Sequence, residues 1–172
     1  MQKNARYGQR NSTLFIKTSY INKILTRKFS ESGMKMTTND SKTVPLFGYE
    51  LIREHVLSSI LGKHEDDILY WAGKELGRKF QMFSMDETIS FFEEAGWGHL
   101  SLVKSEKDEA YYELTGELEM LNLQQRCFKL ESGFLAQQQQ KLSGFLTECY
   151  EEKSIKKNHV LFHLKWDLKE KI

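Results

Sequence analysis

Residues 91–103 read FFEEAGWGHLSLV, and the fold turns on how this stretch divides. Before it, Ile89, Phe92 and Gly96 recur at helical spacing, and Ser84 stands three residues ahead of Glu87, a capping box at a helix start. From His99 onward apolar and polar residues alternate, as in a half-buried strand. The joint is the pair of glycines around Trp97. Gly96 is expected to end the helix at positive φ, as a C′ glycine does. Trp97 then turns inward as a large anchor, and Gly98 lets the strand begin close by. A tight corner accounts for this arrangement, and so does the wall of a binding pocket; the pattern fits both.

Working outward, LFGYELIREHVLSSILG (46–62) places Tyr49, Ile52, Val56 and Ile60 on one helical face, with Gly62 as the stop. HEDDILYWAGKELGRKF (64–80) carries Asp66 and Asp67 near its start and Arg78 and Lys79 near its end, the charge order that suits a helix dipole. Leu69, Ala72, Leu76 and Phe80 form its apolar face. Downstream, HLSLV and AYYELTG alternate around a charged KSEKDE, a hairpin signature. CFKLESGFLAQQQQKL returns to helical spacing through Phe128, Leu130, Phe134 and Leu142. Two alternating runs, GFLTECYEE and HVLFHLKWDL, close the chain, the second with Val160, Phe162, Leu164 and Trp166 on one face. Three helices, a hairpin, a helix and two more strands predict an α+β domain over 46–172, with helices packed on an antiparallel sheet of about four to five strands.

Charge separates the first 45 residues from this domain. Among the 172 residues the net charge is +1. Residues 1–30 hold seven Lys/Arg and no Asp/Glu, which leaves 18 basic and 24 acidic residues and a net of −6 for the remainder. Three readings of the basic segment stand side by side: an organelle-targeting presequence, a surface-binding amphipathic helix, or a disordered extension ahead of the true start at Met34 or Met36. The last is the expectation carried forward. An acidic body argues against nucleic-acid binding. No run of about 18 or more apolar residues is present, so no transmembrane segment is expected. Two cysteines, Cys127 and Cys149, form neither C-x-x-C nor a ligand cluster and suggest free thiols in a cytoplasmic, reducing setting.

Sites of known chemistry are sparse in the pattern. His159 and His163 are four apart, but on a strand that is about 13 Å, too far for one ion. Neither H-E-x-x-H, G-x-S-x-G nor a phosphate-binding glycine loop occurs, so no metal or cofactor is expected. Cys127 falls where a helix opens, and the helix dipole there can lower a thiol pKa; a buried structural cysteine is the plainer reading. Glu131, one turn on, is its conceivable partner. Gly73 and Gly77 lie inside a helix at a cost of about 1 kcal/mol each against alanine, which close helix packing can repay.

FGYELIREHVL, LYWAGKELGRKF, FFEEAGWGHL, CFKLESGFLAQQ and HVLFHLKWD together resemble the YslB-like family of small Gram-positive bacterial proteins, from about Phe47 to Asp167. That family is similar in turn to a fold group containing 4-vinyl-reductase-type domains, haem-based nitric-oxide sensors and TRAPP-type trafficking subunits. The shared features here are the Gly73–Gly77 helix, the Gly96–Trp97–Gly98 corner and the Cys127–Ala136 segment containing Gly133. The resemblance implies a twisted antiparallel sheet, a homodimer in many members, and in some a pocket for a small hydrophobic ligand. It also marks departures. Leu51 stands where the haem sensors' Y-x-S-x-R motif has serine, so haem is not expected. HVLFHL lacks the cysteine that ligand-binding relatives place in the last strand.

These readings converge on a non-catalytic cytoplasmic domain for a small hydrophobic ligand, a protein partner, or both. Its pocket would lie between helices and sheet, lined by Trp71, Phe92, Trp97, Cys127 and Phe134. An adaptor without ligand and a cysteine enzyme using Cys127 with Glu131 are the alternatives.

Overall fold

The computed structural model describes residues 46–116 and 121–172, all within a unit spanning Val44–Ile172. The expected basic extension over 1–45 lies outside the described residues. The first helical run, α1, is α-helical over Leu46–Glu50, π-helical over Leu51–Val56 and α-helical again over Leu57–Leu61. Then come α2 (Glu65–Lys79), α3 (Met85–Glu94), β1 (His99–Ser105), β2 (Glu109–Thr115), α4 (Lys129–Ser143), β3 (Phe145–Ser154) and β4 (His159–Lys171). The element order is the one that the periodicities predict, and the fold class is α+β.

The strands form one antiparallel sheet in the order β1-β2-β4-β3. Val160, Phe162, Leu164 and Trp166 point into the core as expected, beside Ala110, Tyr112 and Leu114 of β2 and Leu100 of β1. The opposite face of β2 and β4 is polar. There His159 pairs with Glu113 at 2.6 Å and His163 with Glu109 at 2.9 Å, so the two histidines meet separate carboxylates.

The joint at Trp97 is a complete helix stop. Gly96 has φ +68°. Its N–H donates to Glu93 O at 3.2 Å, and Trp97 N–H donates to Phe92 O at 2.9 Å. These are the two bonds of a Schellman motif, and the apolar contact that accompanies it is Trp97 against Phe92, with centroids 4.9 Å apart. The front of α3 is capped as the sequence suggests, by Glu87 N–H donating to Ser84 Oγ at 3.2 Å.

α4 lies between α2 and the sheet and is buried along much of its length. Such a central helix needs its neighbour close, and glycines allow it. A Cβ on Gly73 would stand 2.1 Å from Leu130 O, and one on Gly133 would stand 2.0 Å from Tyr70 O. The two backbones therefore touch at these positions. Gly77 faces Gln137, and Gly98 faces Thr115 O across β1–β2. Farther along α4, Gln138 donates through Nε2 to Phe80 O at 2.7 Å and accepts from Met82 N–H at 3.0 Å, pinning the α2–α3 connection.

One element sits the other way round from its pattern. Of the four residues expected on the apolar face of α1, Tyr49 packs against the core, whereas the rest face outward: Ile52 is 57% and Ile60 73% exposed, with Val56 and the neighbouring Phe47 also exposed. Its charged residues Arg53 and Glu54 face inward, with side chains only 4% and 3% exposed. A π-turn closes i→i+5 bonds, so it rotates the following side chains away from a 3.6-residue register.

Candidate functional site

Of the five residues expected to line a pocket, three meet in the core. Phe92, Trp97 and Phe134 pack on one another, with Trp97 5.4 Å from Phe134 at nearly a right angle and Phe91 stacked on Phe134 at 4.7 Å. All three are buried, and each ring occupies the space beside the next. Edge-to-face and offset contacts of this kind are worth about 0.5–1.5 kcal/mol per pair beyond the buried area.

Trp71 and Cys127 lie elsewhere, beside a cleft between α2 and the edge strand β3. The cleft holds about 200 Å³ and is lined by Asp66, Asp67, Tyr70, Trp71, Lys129, Glu148, Cys149 and Tyr150. Its floor is built from edge protection. The unpaired side of β3 offers backbone groups that must be satisfied. Tyr70 Oη accepts from Cys149 N–H at 3.3 Å and donates to Glu148. Lys74 Nζ donates to Thr147 O at 3.4 Å and to Glu148 Oε1 at 3.0 Å. Two α2 side chains one turn apart thus cap the edge of β3. Burial, and then the bond to Glu148, pushes the Tyr70 hydroxyl far above its ordinary range, so it remains a proton donor.

Cys127 precedes α4 by two residues and donates from Sγ to Asp66 Oδ1 at 3.2 Å. Burial, reinforced by Asp66, pushes its thiol up to about 12. This reverses the effect that a helix start alone would have: desolvation and a neighbouring carboxylate both oppose the thiolate. Cys149 is fully buried and shifted the same way, again first by desolvation. Both thiols are free.

Glu131 is not a partner of Cys127. It sits beneath α1, where Arg53 Nη2 donates to its Oε2 at 2.7 Å and to Cys127 O at 2.9 Å. Burial alone would lower the Arg53 pKa, but Glu131 and Tyr49 beside it more than offset that and raise it. A second buried pair lies alongside: Arg126 donates to Glu54 Oε1 from Nη2 at 2.8 Å and from Nε at 3.0 Å. Asn122 also donates to Glu54, and the Arg126 guanidinium lies 5.5 Å from the Tyr49 ring. Glu131 Oε1 and Arg126 Nη1 are buried without a partner among the described residues. Helical spacing marks Tyr49, and Arg53 stands at the last position of the segment compared with the haem sensors' Y-x-S-x-R motif, but no pattern in the sequence marks Glu54 or Arg126. Nothing local distinguishes these from ordinary solvated charges, because the two partners lie 72 residues apart, as Arg53 and Glu131 lie 78 apart.

Among the described residues no group of His, Cys, Asp and Glu could hold a metal ion, and no helix is long and apolar enough to cross a membrane.

Comparison with known proteins agrees with this architecture. A protein described as "Uncharacterized protein YslB" from Bacillus subtilis is 41% identical over 129 residues, covering 73% of this chain and 87% of that protein. A crystal structure of a vinyl-4-reductase family protein from Methanocaldococcus jannaschii has the same fold, with a TM-score of 0.54 at 16% identity over 74% of this chain and 85% of that one. An H-NOX protein mutant from K. algicida is more distant, with a TM-score of 0.48 at 12% identity, over 78% and 82% of the two chains. The family described as "Protein of unknown function (DUF2507)" matches residues 46–165. That match spans α1 to β4, and with the identity to the Bacillus relative it makes this chain a member of the DUF2507 family.

Proposed function

We propose that this protein is a non-catalytic, cytoplasmic interaction domain that self-associates through the outward face of α1. The observation that carries the reading is the inverted helix: Phe47, Ile52, Val56 and Ile60 are exposed while Arg53 and Glu54 are buried in ion pairs. Tyr49 and the buried charges hold α1 to the domain, and the remaining apolar residues of that helix are left unused by its own core. A contiguous apolar patch left permanently in water is an aggregation hazard, whereas a second copy covers it symmetrically. The protonated thiols and the engagement of Glu131 by Arg53 support the non-catalytic part. A small hydrophobic ligand between helices and sheet gains no support from Phe92, Trp97 and Phe134, which fill that space themselves.

Sedimentation velocity on the full chain tests the reading. The wild type is expected to sediment as a dimer, and the Ile52→Glu/Ile60→Glu double variant as a folded monomer, because each charge would have to be desolvated in the interface. A monomeric wild type would overturn it, as would a dimer indifferent to both substitutions.

A further inference from the structure

The cleft between α2 and β3 is walled by two aromatic side chains that the core does not use. Trp71 and Tyr150 are each 61% exposed. They arise from different elements and face one space, whereas the other two tryptophans, Trp97 and Trp166, are buried.

The charges around the cleft differ in how far they are already committed. Glu148 is held by Tyr70 and Lys74. Lys129 is tied to Glu151 at 2.9 Å, and Asp66 receives the Cys127 thiol. Asp67 has no hydrogen bond or ion pair among the described residues, and it is exposed one helical turn before Trp71. Residues four apart on a helix are neighbours on its surface. Counting the lining groups and their direct partners, Asp66, Asp67, Glu148 and Glu151 face Lys74 and Lys129, a net of two negative charges.

The protein's own packing shows what these rings attract. Lys74 Nζ lies 5.3 Å from the Tyr70 ring centroid and 5.5 Å from that of Trp71. Indole is the strongest of the aromatic side chains in this interaction. Much of Trp71 remains open to solvent, with an uncommitted carboxylate beside it. Anions are disfavoured by the net charge. A guanidinium fits best: it is flat, stacks on aromatic faces, is weakly hydrated and forks onto a carboxylate. The volume of about 200 Å³ suits one side chain rather than a cofactor, whose sites usually span about 300–1,000 Å³.

We propose that this cleft binds an arginine side chain presented by an exposed segment of a partner protein, with the guanidinium against Trp71 and paired to Asp67 and the aliphatic stem along Tyr150. The proposal is separate from the α1 face. A monomeric protein with a working cleft would refute self-association and leave this proposal standing, and a dimer with an inert cleft would do the reverse.

Tryptophan fluorescence of the full chain provides the test, because only Trp71 of the three indoles is broadly accessible. The probe is a short capped peptide of alternating alanine and arginine, titrated beside the same peptide with citrulline, which keeps the shape and removes the charge. The arginine peptide is expected to give a saturable change that weakens with added salt. The citrulline peptide should bind at least about tenfold more weakly, the loss of one charge-assisted contact. Asp67→Asn should weaken arginine binding comparably and Tyr150→Ala should reduce it, with both proteins still unfolding cooperatively and Asp67→Asn melting only slightly lower, by the loss of one carboxylate from the first turn of α2. No saturable change, equal response to both peptides, or undiminished binding by Asp67→Asn would each overturn the proposal.

Discussion

Gly133→Ala is the sharpest test of how this fold is held together, because local and tertiary physics predict opposite signs. Gly133 lies inside α4, where alanine favours the helix by about 1 kcal/mol. Its new Cβ, however, would stand 2.0 Å from Tyr70 O, 2.9 Å from Tyr70 C and 3.0 Å from Lys74 N. All three are backbone atoms of α2, so no side-chain rotation relieves the overlap. Ordinary carbon contacts begin near about 3.5 Å, so the helix axes must part by about 1 Å or more. A gap of that size forfeits roughly a quarter to a half of each dispersion contact across the interface, and overpacking of this kind costs about 1–3 kcal/mol or more. The displaced Tyr70 and Lys74 would also lose their bonds to the β3 edge. We expect a net destabilisation of about 2–4 kcal/mol and a melting temperature lower by about 10 °C. Gly48→Ala is the control: Gly48 is also helical, and nothing lies within 4 Å of its added Cβ. It should melt at or slightly above the wild-type temperature. Urea and thermal unfolding of the three proteins suffice, and a Gly133→Ala protein as stable as the control would refute the close-contact argument.

Two further outcomes follow from the buried charges and the thiols. Glu131→Leu or Arg53→Met alone strands a buried charge and should cost about 3–5 kcal/mol in urea unfolding, while the double variant should recover most of the loss; additive losses would mean that the pair is not coupled. Cys127, with its thiol raised to about 12, should react slowly with iodoacetamide. At pH 8 about one thiol in 10⁴ is ionised, and the rate in the folded protein should climb steadily through pH 10 instead of levelling near 8.5 as an exposed cysteine would. The accompanying stabilisation is fully present below the unfolded thiol pKa of about 8.5 and is lost as pH rises towards the folded one. A plateau near neutral pH would refute the protonated, buried thiol.

Much of the architecture is written locally. The glycines around Trp97 specify a helix stop through φ, and Phe92 and Trp97 are close enough in sequence to complete it unaided. The two-residue period of Val160, Phe162, Leu164 and Trp166 fixes which face of β4 is buried, since a strand has only two faces. The spacing of Gly73 and Gly77 marks a close helix contact, although only the structure shows that Gly133 supplies the other side of it.

The orientation of α1 and the place of the cleft belong to the tertiary structure. An apolar stripe establishes that a helix has two unlike sides, but not which side the core receives. In α1 that choice falls to Arg53 and Glu54, whose partners Glu131 and Arg126 lie 78 and 72 residues further along the chain, and to the π-turn that shifts the helical register. Aromatic residues are likewise ambiguous in sequence. Phe92, Trp97 and Phe134 become core because they find one another, and Trp71 stays at the surface because α2 turns its Gly73 and Gly77 side towards α4. Residue type sets what each side chain can do; long-range packing decides which of them remain available to a partner.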